Sequence, residues 1–272
     1  DEGKVSLRGV RAKASARLRT DDVVVLRYAR REEPAPTHAR LPILFEDDRI
    51  LVVNKPPDLI VHPTDRVIRN TVLSILREQT GAGFLTLAHR LDRETSGVLV
   101  LAKDSAAAAA LQGQFERREI RKEYLALVRG VPPQKRFAID APLGKAGGEI
   151  LVQQAVLEDG AAAQTDFTVV AAGGEAALVQ ARPRTGRLHQ IRVHLAHAGF
   201  PILGDKLYNG DGSAYLKAVA KTFDGSDAER LGASRQMLHA RRLWLRHPET
   251  GPMIFKAPLP DDFKKILAYL LV

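Results

Sequence analysis

The chain has 272 residues, 45% of them hydrophobic, and 41 lysines and arginines against 32 acidic residues give it a net charge of +9. This length allows one large domain or two smaller ones, and the positive charge favours a polyanionic partner such as a nucleic acid. The sequence has no cysteine and no apolar run near the roughly 20 residues of a membrane-spanning helix, which excludes disulfides, thiol catalysis, thiolate zinc sites and a helical membrane protein.

The N-terminal part of the chain differs from the rest in its high content of arginine and lysine. Short apolar runs at residues 5–10 and 23–26 predict strands. Charged residues and prolines at 31–40 predict a linker. We therefore expect a basic segment over residues 1–30 and a compact domain over residues 41–272.

Apolar periodicity and capping residues predict both helices and strands from residue 41 onward. Because many strands are separated by few helices, we predict an α+β fold with a mixed, largely antiparallel sheet and flanking helices. The predicted helices cover residues 71–79, 105–117 and 188–198, and another opens near residue 259. The predicted strands cover residues 43–45, 50–53, 98–102, 124–129, 150–157, 164–170 and 178–182.

The most informative segment is the nine-residue run 89–97, with the sequence His-Arg-Leu-Asp-Arg-Glu-Thr-Ser-Gly. It places Asp92 on a predicted loop between Arg90 and Arg93, just before a buried strand. Nearby cations favour the ionised form of a carboxylate, so Asp92 could act as a nucleophile or as a general base. The two arginines are available to hold an anionic ligand.

This run and four further stretches, in the same order along the chain, resemble the ribosomal large-subunit type of pseudouridine synthases, and most of all its C and D branches. The resemblance implies a pseudouridine synthase fold with a central RNA-binding cleft. It implies an isomerase that converts specific uridines in RNA to pseudouridine, with neither a metal nor an organic cofactor. Residues 1–30 resemble the closing part of the small RNA-binding domain of the ribosomal-protein-S-four type. The five stretches are 50–63, 89–97, 121–130, 185–208 and 238–248.

The resemblance also assigns roles in the reaction. Asp92 matches the catalytic aspartate, Arg192 the cation that keeps it ionised, and Tyr124 the aromatic residue that stacks on uracil. Asp92 could add to the ring, attack the sugar or remove a proton, and the sequence does not choose among these routes. Because a stacked uridine cannot be reached, it must be flipped out of the RNA, and we predict that Arg90 takes its place.

Contacts with RNA are predicted for basic residues in or beside the same stretches. Arg187 would touch a backbone phosphate, Arg93 would either do the same or face solvent, and His189 would line the cleft. Lys55 would help to fold a loop under the active site, with contact to RNA as its second role. The residues predicted to bind RNA are Arg90, Arg93, Arg187, His189 and Lys55.

Large-subunit ribosomal RNA is the favoured target, with transfer RNA as an alternative. The competing function is a non-catalytic RNA-binding factor of the same fold that assists ribosome assembly. We expect a cytoplasmic protein, because the sequence has no cysteine and its first residues lack the pattern of a secretion signal. A monomer is the preferred oligomeric state. Polar residues outside the assigned set, among them Asp205 and Tyr208, are interpreted as structural.

Overall fold

The computed structural model describes residues 5–13, 15–27, 33, 38–64 and 67–270. The chain forms two compact units, Asp1–Ala35 and Pro36–Val272. Most of the predicted linker, residues 31–40, lies outside the described residues.

The described part of the first unit holds three short strands, β1 (Val5–Leu7), β2 (Val10–Arg11) and β3 (Val24–Leu26). They form an antiparallel sheet in the order β2-β1-β3. Arg8 and Gly9 both have positive φ, so a tight turn divides the predicted strand 5–10 into β1 and β2. Both predicted strand regions of this segment are therefore present.

The second unit is built on one large mixed sheet. Its main path runs through eight strands. Two neighbouring strands near its centre, the seventh and the fourteenth of the chain, pair in parallel. All its other strand pairs are antiparallel, which confirms the predicted α+β class. The strands are β4 (Ile43–Glu46), β5 (Ile50–Lys55), β6 (Thr86–Leu87), β7 (Ser96–Ala102), β8 (Arg121–Arg129), β9 (Arg136–Asp140), β10 (Leu143–Lys145), β11 (Gln154–Val156), β12 (Gln164–Gly173), β13 (Ala176–Pro183), β14 (Leu238–His247) and β15 (Gly251–Lys256).

The strand order of this sheet is β4-β5-β7-β14-β8-β13-β12-β9, with β6 paired to β7 and β15 paired to β14. Strands β10 and β11 form a separate two-stranded sheet. No helix in the described ranges is both long and apolar enough to cross a membrane. The helices are α1 (Val72–Thr80), α2 (Ser105–Glu116), α3 (Gln190–His197), α4 (Ser213–Ala220), α5 (Gly225–Leu231) and α6 (Asp261–Leu270).

The first two helices begin within one residue of their predicted starts, at Val72 and Ser105. The Thr71 hydroxyl accepts a hydrogen bond from the Ser74 N–H at 3.2 Å, and the Asp104 carboxylate accepts one from the Ala107 N–H at 2.8 Å. These side chains satisfy backbone donors that the first turn of a helix leaves free. By contrast, α3 begins after His189, which has a φ of 55° and makes no side-chain cap.

The centre of the sheet is held by the close approach of β7 and β14. Strands β5 and β7 are apolar and buried along almost their whole length, as in strands that are covered on both faces. Gly97 has a φ of 116°, and a Cβ added there would lie 2.2 Å from the Ala240 carbonyl oxygen. Only glycine fits this contact, which fixes the start of β7 against β14 and with it the loop that carries Asp92.

Several elements were not predicted, for identifiable reasons. The arginines of β14 interrupt its apolar alternation, and Arg242 is neutralised by Glu123 of β8 at 3.3 Å. Helix α4 begins after Gly212 without a side-chain cap. Helix α5 does carry a capping box, so its signal was present in the sequence and was missed. Of the predicted strand 150–157, only residues 154–156 form a strand, β11.

The fold should lose stability as the pH falls from about 6.5 to 4.5. Burial lowers the pKa of His89 to about 3 and the pKa values of His189 and His239 to about 4. The unfolded chain therefore takes up protons in this range that the folded chain does not, at a cost of up to about 1.4 kcal/mol per pH unit for each histidine. Urea unfolding at pH 7 and pH 5 measures this. Equal midpoints at the two pH values would contradict it.

Candidate active site

The segment that carries Asp92 forms one wall of a cavity of about 610 Å³. Asp92 lies on the loop between β6 and β7, and the Thr95 N–H donates to its backbone carbonyl at 3.1 Å. The cavity brings together six of the eight predicted site residues, from three separate stretches of the chain. They are Arg90, Asp92, Tyr124, Arg187, His189 and Arg192.

Arg192 holds two carboxylates at once. Its Nη1 donates to Asp92 Oδ2 at 3.0 Å, while Nε and Nη2 donate to the two oxygens of Asp205 at 2.7 and 2.9 Å. Burial by itself would raise the pKa of Asp92, but Arg192, together with His189 and Gln236, outweighs it and holds that pKa below its usual value. The Asp92 carboxylate is therefore ionised at neutral pH, and its side chain keeps 21% exposure toward the cavity.

The bidentate partner of Arg192 is a residue that sequence analysis interpreted as structural. Asp205 is fully buried, and its Oδ1 also accepts hydrogen bonds from the backbone N–H groups of Leu207 and Tyr208 at 2.9 and 3.1 Å. These contacts hold the Asp205 carboxylate in place. Because the guanidinium of Arg192 is planar, its bidentate contact with Asp205 also orients the N–H group that it directs at Asp92. The signal that could have revealed it is a lone acid in the otherwise apolar run Pro-Ile-Leu-Gly-Asp at 201–205.

Tyr208 is the second residue that was interpreted as structural and that contacts Arg192. Its ring lies 5.0 Å from the Arg192 guanidinium carbon, and its hydroxyl accepts from the Gln154 N–H at 2.9 Å. The hydroxyl is also within hydrogen-bond distance of His189 Nδ1, at 2.8 Å. His189 Nε2 is 3.9 Å from Asp92 Oδ1. His189 thus belongs to the hydrogen-bonded surroundings of the carboxylate.

Tyr124 projects from β8 into the same cavity and packs against two of the apolar clusters of the core. Burial, and to a lesser extent the negative charge of Asp92, raises the pKa of its hydroxyl. The phenol is therefore protonated at neutral pH, and its ring is one wall of the space in front of Asp92. A planar ligand could stack there.

The remaining predicted RNA contacts differ in position. Arg90 is exposed on the cavity, and Arg187 lines it while its Nε donates to the Ala162 carbonyl at 3.1 Å. Arg93 does not line the cavity; it forms an exposed ion pair with Asp58 at 2.8 Å. Arg90 is thus the predicted residue best placed to enter a bound RNA, and Arg93 lies outside the pocket.

The structure corrects the expectation that Lys55 faces RNA. Lys55 is fully buried, and its Nζ donates to the carbonyls of Pro56, Arg93 and Thr95 at 2.8, 2.8 and 2.9 Å. Burial lowers its pKa to about 7, and the three carbonyls match the three N–H groups of the protonated amine. Lys55 therefore ties β5 to the loop that follows Asp92.

We expect Lys55→Met to destabilise the fold by about 2–4 kcal/mol, because it removes the Nζ donor of three carbonyls, of which that of Arg93 keeps the Leu59 N–H at 3.1 Å. Urea denaturation measures the loss, with Lys145→Met, at an exposed lysine of β10, as the matched control. A Lys55→Met protein with normal stability and weakened RNA binding would return Lys55 to the RNA-binding surface.

Lys206 and Gln236 also hold the Asp92 loop, and these roles were not predicted from the sequence. Gln236 donates from Nε2 to the Thr95 hydroxyl at 2.6 Å and from its backbone N–H to the Glu94 carboxylate at 3.0 Å. Lys206 pairs with Glu94 at 2.6 Å. The loop is therefore fixed by segments more than one hundred residues away along the chain.

Comparison with known proteins identifies the family. A family model described as RNA pseudouridylate synthase matches residues 49–197. The ribosomal large subunit pseudouridine synthase C of Pasteurella multocida is 37% identical, over 99% of this chain and 83% of its own length. The chain belongs to the RNA pseudouridylate synthase family. The synthase C of Escherichia coli K12 is likewise 37% identical to this pseudouridylate synthase, over 99% of the chain and 85% of its own length.

The structures of the family share the fold of this pseudouridylate synthase. Human RNA pseudouridylate synthase domain containing 4 superposes with a TM-score of 0.66 at 31% identity, covering 84% of this chain and 92% of its own. The family and the enzyme class predicted from the five sequence stretches are thereby confirmed. The matched region 49–197 includes Asp92, Tyr124 and Arg192, whereas Asp205 and Gln236 lie beyond it.

Proposed function

We propose that this synthase converts uridine to pseudouridine in large-subunit ribosomal RNA, with Asp92 as its catalytic carboxylate. The observation that carries the proposal is the ionised Asp92, held by Arg192 in a cavity that Tyr124 also lines. The printed names of the curated relatives support the choice of RNA, because they describe synthases of the ribosomal large subunit. Transfer RNA is the alternative substrate.

The reaction breaks the bond between the ribose and N1 of uracil and forms a bond from the same ribose carbon to C5. C5 loses its hydrogen and N1 gains one, so the product is an isomer and no electrons are exchanged with a second reactant. Asp92 binds Arg192 through Oδ2, and its Oδ1 lies nearer to His189. Attack on the sugar, addition to the ring and removal of a sugar proton all require the ionised form that Arg192 maintains.

The uridine reaches Asp92 only after it leaves the stack of the RNA. We assign Arg90 to the vacated position, because it is exposed on the cavity and its side chain forms no ion pair or hydrogen bond with the other residues that the structure describes. A guanidinium can stack between bases and also meet a phosphate. Tyr124 would then support the flipped uracil inside the pocket.

The remaining proposals concern the domains, the oligomeric state and the location of the protein, and a competing function. We assign residues 1–30 to a partial RNA-binding domain of the ribosomal-protein-S-four type and 41–272 to the catalytic domain. The protein would act as a monomer in the cytoplasm, where its RNA is found. A non-catalytic role in ribosome assembly is the competing function, and it predicts RNA binding without turnover.

Tritium release tests the proposal. The substrate is ribosomal RNA labelled with tritium at C5 of uridine, from cells that lack the corresponding enzyme, so that its sites are unmodified. C5 gives up its hydrogen only when it becomes the carbon bound to ribose, and we expect release with purified protein alone. Protein that is folded and binds this RNA but releases no tritium would favour the assembly function.

A further inference from the structure

Two cations of the cavity wall have no part in the chemistry proposed above. Lys122 lies at the start of β8, and Arg118 lies in the turn that connects α2 to β8. Both line the cavity that contains Asp92. Neither side chain forms an ion pair or hydrogen bond with another of the described residues, whereas Arg117 beside them pairs with Glu119 at 2.7 Å.

The amine of Lys122 forms no ion pair with the acidic residues that the structure describes, although Glu116 lines the same cavity. Its Nζ lies 5.8 Å from the centre of the Phe115 ring and 3.4 Å from the point that a Cβ on Gly186 would occupy. Burial, and to a lesser extent the charge of Lys122, lowers the pKa of His89 to about 3, and the neighbouring His89 ring is therefore neutral. Burial likewise lowers the pKa of Lys122. Withdrawing a cation from water without a counter-ion costs free energy, which a bound anion would recover.

Lys122 and Tyr124 are two residues apart on one strand, so their side chains share a face of β8. The distance between such positions is about 7 Å. A nucleotide whose base occupies the pocket at Tyr124 would therefore bring the backbone of its neighbour close to Lys122.

Arg118 occupies a backbone position that favours glycine. Its φ is 58°, its N–H donates to the Phe115 carbonyl at 3.1 Å, and the Glu119 N–H donates to the Gln114 carbonyl at 2.9 Å. This is the pattern of a Schellman motif, in which glycine adopts the left-handed conformation without strain. An arginine there is strained, and strained residues cluster at sites of function.

We propose that Lys122 and Arg118 form a subsite for a backbone phosphate of the RNA, next to the uridine that enters the pocket. The subsite rests on the proposed function, since it places the phosphate relative to a flipped uridine. Both are basic side chains whose protonated forms only donate hydrogen bonds, which suits a phosphate and not the mixed donors and acceptors of a base edge. The subsite would position RNA of any sequence.

The salt dependence of RNA binding tests the subsite. The probe is an unmodified large-subunit ribosomal RNA transcript, and its Kd is measured from about 50 to 300 mM KCl. Because each phosphate contact releases counter-ions, Lys122→Met should lower the slope of log Kd against log salt by about 0.7 and weaken binding roughly threefold to tenfold. Lys122→Arg should keep the slope. Lys256→Met, at an exposed lysine outside the cavity, is the matched control.

Arg118→Gly separates this function from folding. Glycine relieves the left-handed strain, so the Tm should rise by about 2 °C while the salt slope falls as it does for Lys122→Met. A variant that is more stable and yet binds RNA less well cannot be explained by a damaged fold. A rise in Tm with an unchanged slope would overturn the role of Arg118.

The outcomes for the subsite and for the proposed function are distinguishable. Loss of the subsite should raise KM by a larger factor than it lowers kcat in tritium release. An unchanged salt slope in Lys122→Met overturns the subsite even if the wild-type protein releases tritium. Absence of release by the wild-type protein overturns the proposed function, and the binding slope still decides the subsite.

Discussion

Asp92→Asn is expected to lower the rate of pseudouridine formation by about 10⁴-fold or more, a loss comparable to that on removing an essential catalytic carboxylate. The amide keeps the size and shape of the side chain but has no negative charge. It can neither attack carbon nor accept a proton as the carboxylate does, and it gives Arg192 a weaker partner than the ion pair at 3.0 Å. The rate of tritium release under single-turnover conditions measures the loss.

The controls for this variant address folding and RNA binding. Asp48→Asn makes the same chemical change at an exposed position outside the cavity and should leave the rate within about twofold of wild type. The Kd of Asp92→Asn for unmodified ribosomal RNA should stay close to the wild-type value, because Asp92 contributes chemistry and not phosphate contacts. Turnover by Asp92→Asn within tenfold of wild type would show that another residue is the catalyst.

Arg192→Met is expected to destabilise the protein by about 3–5 kcal/mol and to abolish most of the activity. The guanidinium neutralises two carboxylates, and Asp205 has no exposure to water. Without it, the buried Asp205 and the partly exposed Asp92 both lose the cation that balances them. The pKa of Asp92 would then follow the effect of burial and rise above its usual value. Urea denaturation and tritium release measure the two losses.

The pH dependence of the stability of Arg192→Met distinguishes the loss of charge balance from a simple loss of packing. In the wild-type protein the pKa of Asp92 is lowered on folding, so its contribution to stability is present at neutral pH and is lost as the pH falls through that pKa. In Arg192→Met the raised pKa makes protonation favour the folded state. The stability deficit relative to wild type should therefore shrink from pH 7.5 to pH 5, and a constant deficit would contradict this account.

A second substitution tests whether Arg192 and Asp205 act as a pair. Arg192→Met combined with Asp205→Asn removes one of the two unbalanced charges. The double variant should be more stable than the sum of the single losses predicts, by about 0.5–3 kcal/mol, while activity stays lost. Additive losses would mean that the two residues stabilise the fold independently.

The roles of two residues, Lys55 and Asp205, could not be predicted from the sequence alone. Lys55 lies in a stretch that resembles an active-site motif and was expected to face RNA, yet its amine is buried on three carbonyls. Asp205 was interpreted as structural, yet it forms the bidentate partner of Arg192. In both cases the residue type and its neighbours were known. The direction of the side chain depends on which strands and loops pack beside it.

The sequence by itself determined the elements that short-range forces specify, and the family of the protein. The caps at Thr71 and Asp104, the buried strand β7 and the α+β class follow from periodicity and side-chain hydrogen bonds within a few residues. The family follows from motifs of linear sequence. Only the tertiary structure decided the site, because it joins Asp92 to Arg192, one hundred residues apart, through a sheet in which β14 lies between β7 and β8. That order depends on the glycine contact between Gly97 and Ala240, which acts between segments far apart in the chain and leaves no periodic pattern to read.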